Sequence, residues 1–299
     1  MNTSIQAEDG LRLVLPKGSL EKATLDLFSD ADLTVVRSSN VDYQASIDDP
    51  RICDVRILRP QEIPIYVGEG LFDLGITGMD WVEETQSEVE SIADLNYSKA
   101  TNQPIKLVLA VAENSKFQEV ADLPNGVRIS TEYPNITRRF LEKNKVNGKV
   151  QLSYGATEAK VPDIADAVVE ITETGRALRA AGLRIIETLM VSKTVLIANR
   201  QAADNPEKRH SMEQIKTLIV GALEARTKVL LKLNVSRESL ENVLDILPSM
   251  RSPTISELHG GGLALETVVP KSGVNVLIPE LSDRGATDIL EIPLSKIIH

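Results

Sequence analysis

Short runs rich in β-branched residues alternate with helix-period stretches from the start of the chain, and few architectures satisfy that alternation. Strands read at residues 11–15, 33–37, 55–58, 74–77, 106–111 and 127–130, with helices at 20–28, 62–69 and 135–144 between them. The pattern predicts an α/β protein with mostly parallel sheets covered by helices on both faces. Ligands of open sheets lie beyond the carboxyl ends of the strands. The loops after Leu15, Leu58, Thr77, Ser130 and Ile171 are therefore the functional candidates.

The last of these loops is the most specific. An apolar segment, 164–171, feeds the run Glu170-Ile-Thr-Glu-Thr-Gly-Arg-Ala-Leu178, where a Thr-Gly-Arg turn opens a helix. A helix start leaves backbone N–H groups unpaired and favours negative charge. Thr172 and Thr174 add hydroxyls, Gly175 admits close backbone approach, and Arg176 can bond phosphate twice. The same spelling also fits an ordinary helix cap, so the neighbouring loops must decide. After the first strand, Leu15-Pro16-Lys17-Gly18-Ser19-Leu20 presents Lys17 at a helix that Ser19 can cap. In Leu58-Arg59-Pro60-Gln61, Arg59 stands at the next strand end and Pro60 suits a first helical turn. Asp73 and Asp80 flank a strand and could read a polar ligand or serve as surface caps; Glu158 lies upstream of the anion loop. The histidines lie outside the first domain's loops, so no convincing Ser-His-Asp or Cys-His set can be assembled and covalent catalysis has no strong candidate.

Composition narrows the partners. A formal net charge of -10 and only 3% aromatic residues argue against nucleic acid, which needs a basic footprint and stacking platforms. Cys53 is the only cysteine, which excludes an intrachain disulfide and fits a reducing compartment. His210, His259 and His299 lack ligand spacing, so a structural zinc site is not expected. The first ten residues lack the basic start and apolar run of a leader, and no run of about 18 apolar residues follows. A cytoplasmic protein is expected.

Residues 199–211 are polar, contain proline and lack periodicity, which predicts a domain boundary and a division into 1–211 and 212–299. Beyond it the text reads helix 212–225, strand 229–233, helix 237–247, strands 254–258 and 263–269, helix 274–282 and strand 288–292. After the first helix that order is βαββαβ, the ferredoxin-like arrangement. Pro279 should kink or shorten its helix.

The run Asp73-Leu-Gly-Ile-Thr-Gly-Met-Asp80 resembles the strand-turn-helix units of type II periplasmic solute-binding folds. Taken in order, the loops closely resemble the ATP phosphoribosyltransferase family. The likeness rests on Leu-Pro-Lys-Gly-Ser-Leu at 15–20, Leu-Arg-Pro-Gln-Glu-Ile-Pro-Ile-Tyr-Val-Gly-Glu-Gly at 58–70, Asp-Leu-Gly-Ile-Thr-Gly at 73–78 and Glu-Thr-Gly-Arg-Ala-Leu at 173–178. Thr-Glu-Tyr-Pro-Asn at 131–135, Ala-Gly-Leu-Arg at 181–184 and Arg-Ser-Pro-Thr-Ile at 251–255 add to it. The resemblance implies a two-lobed catalytic part followed by the ferredoxin-like regulatory domain of the family's long form. It implies Mg²⁺-dependent condensation of ATP with phosphoribosyl pyrophosphate, the first step of histidine biosynthesis, inhibited by histidine.

By the same resemblance, Lys17, Arg59 and Glu158 are catalytic. Asp73, Glu170, Glu173, Thr174, Gly175, Arg176, Ala177 and Leu178 bind substrate, and Asn234, Met250, Thr254, Val268 and Asp288 bind the effector. Glu170 stands where an aspartate is common, Ala177 replaces a common threonine, and Asn234 lies where some relatives have an acid. Met250 and Val268 read equally as ordinary core. A homo-oligomer, dimer to hexamer, is implied, with no membrane partner. The rival readings are a non-catalytic solute-binding or effector-sensing protein on the same lobes and a regulatory subunit without catalysis. The first would carry a leader and the second a degraded phosphate loop.

Overall fold

The computed structural model describes residues 10–39, 41–95, 97, 105–250 and 252–299. The first nine residues, read above for a leader, and Arg251 of the Arg-Ser-Pro-Thr-Ile run lie outside the described residues. The chain divides into two compact units, one holding residues through Asp26 with Leu33–Lys216, the other Leu27–Asp32 with Thr217–His299.

The first unit contains two lobes. The first lobe begins with β1 (Leu11–Pro16), α1 (Glu21–Asp30), β2 (Val35–Val36), β3 (Gln44–Ile47), β4 (Ile52–Leu58), α2 (Ile63–Gly68), β5 (Leu74–Gly78), α3 (Met79–Thr85) and β6 (Val89–Leu95). The chain then builds the second lobe: β7 (Ile105–Ala112), β8 (Val127–Thr131), α4 (Pro134–Lys143), β9 (Gly148–Leu152), β10 (Ala167–Thr172), α5 (Arg176–Ala180) and β11 (Leu183–Ser192). It returns to the first lobe with β12 (Thr194–Asn199) and continues into α6 (Arg200–Asp204) and α7 (Pro206–Ala225). The first sheet runs β2-β3-β4-β1-β5-β12-β6 and the second β11-β7-β10-β8-β9.

Buried strands explain the apolar runs. Leu11, Leu13, Val14 and Leu15 of β1 are all buried because the strand lies between β4 and β5 with both faces covered. The second lobe's core gathers Leu107, Leu109, Val127, Ile129, Ile136 and Val169, and it takes in Trp81 from α3 of the first lobe.

In the second unit β13 (Lys228–Val235), α8 (Leu240–Leu244), β14 (Thr254–Glu257), β15 (Leu263–Pro270), α9 (Val274–Asp283) and β16 (Ala286–Pro293) form the expected βαββαβ order. The sheet order β14-β15-β13-β16 is antiparallel throughout. Strict alternation in β13 sends Val229, Leu231, Leu233 and Val235 into a core with Val243, Leu265, Val269, Val274 and Leu281. The other face of the sheet stays open, with Leu290 and Ile292 exposed.

Several expectations need correction. The sheets are mixed rather than mostly parallel: β12 runs antiparallel to both β5 and β6, and β7 antiparallel to β10 and β11. The polar stretch 199–211, read as lacking periodicity, holds α6 and the start of α7; the Asn199 side chain at the end of β12 accepts the Ala202 N–H at 2.9 Å and caps α6. Pro64, not Pro60, occupies the first turn of α2. The helix after Lys17 opens at Glu21, so Ser19 is outside the cap position, and the Glu21 carboxylate accepts the Gly18 N–H instead. The helix α9 runs on through Pro279 to Asp283.

Candidate active site

The first lobe brings two cations to one edge. Parallel pairing sets Pro16 beside Leu58, so the residues that follow, Lys17 and Arg59, leave adjacent strand ends together. The Lys17 N–H donates to the Leu58 carbonyl at 2.6 Å, tying the two ends. Its ammonium lies 3.9 Å from the Tyr43 ring centroid, a cation–π contact that holds the side chain without neutralising it. Arg59 is exposed.

The second lobe brings carboxylates to the matching edge. Thr131 pairs with Val169 on parallel strands, so Glu132 and Glu170 emerge side by side. Burial pushes the Glu170 carboxyl up; the Ile171 N–H and Thr157 hydroxyl oppose this, while the charges of Glu132 and Glu158 add to it. Burial also raises Glu132, against the nearby charges of Lys160 and Arg59. Arg59 of the first lobe and Glu132 of the second thus face one electrostatic environment. Behind them, Lys160 Nζ donates to Ser153 Oγ at 2.5 Å, and Ser153 shares a hydrogen bond of 2.9 Å with Thr157.

The anion loop differs in detail from its sequence reading. Thr172 Oγ1 accepts the Gly175 N–H at 2.7 Å, so this hydroxyl shapes the loop and keeps its hydrogen to donate elsewhere. Gly175 has φ +72, and a Cβ there would come 2.7 Å from Arg179 Nη1. Arg179, missed in the sequence, donates from Nη2 to the Thr174 carbonyl at 3.0 Å and braces the turn. With only five residues, α5 contributes little dipole, so an anion held here would rest on the loop's own N–H groups. Thr174, Arg176 and Ala177 are exposed, Glu173 is half-buried, and Leu178 packs into the core with Val108, Val168 and Leu183. Leu178 can therefore meet a ligand only through its backbone.

Asp73 is not part of this constellation. It precedes β5, at the amino end, and its carboxylate is 2% exposed and bonded to Arg12 and Lys208 at 2.9–3.0 Å. Asp80 is no surface cap either, being buried beneath the strand end.

On the second unit's open face, Asn234 Nδ2 donates to Asp288 at 2.9 Å. Thr254 pairs with Glu266 and Val268 with Leu230, which puts both on that face. Met250 is 40% exposed, so the reading of it as core is wrong; Val268 is half-buried.

Glu132 was missed as a site residue because its motif reads equally well as a strand end and a helix start. Its signals were its place after a parallel strand and the run Thr-Glu-Tyr-Pro-Asn at 131–135.

The family model for ATP phosphoribosyltransferase matches residues 59–221, and that for the HisG C-terminal domain matches 225–296. The chain belongs to the ATP phosphoribosyltransferase family. It is 47% identical to the ATP phosphoribosyltransferase of Pelotomaculum thermopropionicum over 96% of this chain and 99% of that one. It is likewise 47% identical to that of Chlorobium chlorochromatii over 96% and 97%. Among solved structures, an ATP phosphoribosyl transferase (HisG:HisZ) complex from Thermotoga maritima superposes with a TM-score of 0.59 at 25% identity, covering 70% of this chain and 98% of that one. The chain is a long-form member and a pentosyltransferase. It condenses ATP with phosphoribosyl pyrophosphate in the first step of histidine biosynthesis.

Proposed function

We propose that the transfer takes place between the two carboxyl edges, with the 5-phosphate of phosphoribosyl pyrophosphate on the loop 172–178 and the polyphosphates beside Lys17 and Arg59. The observation that carries this reading is the pairing of edges: two adjacent cations on one lobe, with Arg59 sharing an environment with Glu132 next to Glu170 on the other. Adenine N1 forms a bond to the ribose anomeric carbon as the bond to pyrophosphate breaks. No protein nucleophile is needed. The chain's part is to hold the reactants in line and to place cations at the departing charge. The Glu170 carboxylate suits ribose hydroxyls as an acceptor, Arg176 and the N–H groups around Gly175 suit phosphate, and Glu158 orients groups nearby.

Among the described residues no cluster of three or more His, Cys, Asp or Glu side chains is placed to hold a metal ion. Mg²⁺ would come with the substrate phosphates and rest on one or two carboxylates, here Glu158 and Glu170, since this ion keeps several waters. When bound, it would neutralise pyrophosphate charge.

Histidine inhibits, in this reading, at the open face formed by Asn234, Thr254, Val268 and Asp288, with Met250 nearby, in a homo-oligomer that passes from dimer to hexamer. Among the described residues no helix is long and apolar enough to cross a membrane. The lone cysteine and the nucleotide substrates favour the cytoplasm.

The test is release of pyrophosphate with ATP, phosphoribosyl pyrophosphate and Mg²⁺. Arg176→Ala should raise the KM for phosphoribosyl pyrophosphate by about 10- to 150-fold, the value of a charge-assisted hydrogen bond of ~1.5–3 kcal/mol, with a smaller effect on ATP. Equal losses for the two substrates would move the 5-phosphate elsewhere.

A further inference from the structure

Two buried acids one helical turn apart on α3, Asp80 and Glu84, lie outside the site just described, and both are satisfied from across the first unit. Ser192 Oγ donates to Asp80 Oδ1 at 2.5 Å and accepts the Asp80 N–H at 2.9 Å; the Tyr133 hydroxyl donates to Oδ2 at 2.7 Å. Glu84 accepts the N–H groups of Asn135 and Ile136, each at 2.9 Å, and its carbonyl accepts from Asn135 Nδ2 at 3.0 Å. Those two N–H groups belong to the first turn of α4, where a helix has no internal partners. A first-lobe carboxylate thus caps a second-lobe helix. Between the two acids, Trp81 stacks on Tyr133 with centroids 4.3 Å apart.

The contact is placed where alignment matters. Tyr133 follows Glu132 at the second lobe's edge, and Gly78 ends β5 at the first lobe's edge. A Cβ on Gly78, whose φ of -84 any residue can adopt, would lie 2.1 Å from Asp80 Oδ1. The strand end is thus bare because the carboxylate occupies that space. Ser192 lies at the end of β11, where the chain passes back toward the first lobe.

We propose that Asp80 and Glu84 are positioning residues for the transfer: they hold the two lobes so that the ribose on the second stands in line with the groups held by the first. The proposal rests on the division of substrates between lobes argued above. Neither acid touches a reacting atom.

The experiment uses the full chain. Tyr133→Phe keeps the ring stack and removes one hydrogen bond to Asp80, and Ser192→Ala removes another. Each should lower kcat at least tenfold, while phosphoribosyl pyrophosphate titrated alone binds within twofold of the unsubstituted protein. The double variant should lose far less than the product of the single losses, because both act through one carboxylate. Glu84→Gln, which keeps one acceptor oxygen, should retain more kcat than Glu84→Ala. Circular dichroism and Tm establish that each variant is folded, and Ser192→Ala stands in if Tyr133→Phe is not. A lowered Tm with unchanged kcat in the folded variants would make the contact merely structural and overturn the proposal. An Arg176→Ala variant that bound phosphoribosyl pyrophosphate normally would remove the division of substrates, and the positioning role with it.

Discussion

Asp73 accepts from the Arg12 backbone N–H at 2.9 Å, from Arg12 Nε and Nη2 at 3.0 Å, and from Lys208 Nζ at 2.9 Å. Burial alone would raise this carboxyl, but the two cations hold it below the usual range. Asp73→Asn should therefore destabilise the fold by about 2–3 kcal/mol at neutral pH, less than for a fully buried pair because Arg12 and Lys208 reach solvent. A folded-state pKa below the unfolded one means that the stabilisation is complete above the ordinary value of 3.8 and fades as pH falls through the lowered one. Urea unfolding of both proteins should show a gap that is constant from pH 7 to 5 and narrows below about 4; a gap that widened in acid would rule out the ion pairs as its source. At the anion loop, Gly175→Val strains φ +72 and meets Arg179, so it should weaken phosphoribosyl pyrophosphate binding by at least tenfold while ATP binding changes little. Competition binding with each substrate separately would check this.

The positions near the strand ends were legible one residue at a time: Lys17 and Arg59 follow adjacent parallel strands, and Glu170 follows the last residue of β10 that pairs with β8. Asp73 was not, because a carboxylate before a strand reads the same whether it faces a ligand or an arginine 61 positions away. Glu132 was hidden for the opposite reason, since its flanking residues Thr131 and Tyr133 are buried and make the stretch look purely structural.

Long apolar elements were readable and short polar ones were not. The sequence of β3, Gln-Ala-Ser-Ile, alternates exposed and buried over four residues, too short to stand out, and β6 and β9 are similarly mixed with polar residues. Their pairing is decided by partners elsewhere in the chain. In the second unit α7 carries Gly221 in mid-helix. Alanine would be the better helix former by ~1 kcal/mol. However, the Gly221 carbonyl accepts the Ile297 N–H at 3.0 Å, and a Cβ would lie 3.0 Å from the Ile297 carbonyl. Gly221→Ala should loosen the final residues, including the Lys296–Asp32 and His299–Glu224 pairs, while the helix itself holds. Hydrogen exchange would show it: the Ile297 amide should speed up at least tenfold while the amides of α7 do not.

For the molecule as a whole, catalysis and feedback fall on different units in the reading proposed here, so the effector must act through a change of state. A coupling of ~1–3 kcal/mol would alter substrate affinity by roughly 5- to 150-fold. Thr254 is the sharpest probe. Its side chain is exposed on the open face, so it can be altered without disturbing the core. Thr254→Val should raise the histidine needed for half-inhibition several-fold and leave uninhibited turnover near its original value. Inhibition that was unchanged would move the effector away from this strand.

The placement of β12 also bears on how the chain is made. This strand fills the gap between β5 and β6, yet it is translated only after the entire second lobe. During synthesis β5 and β6 therefore emerge with facing edges unpaired, and they wait for roughly 100 further residues, about 5–20 s at ~5–20 residues per second. Throughout that interval the nascent chain displays two incomplete strand edges, so chains stalled on the ribosome before Thr194 carry open templates for pairing with other chains.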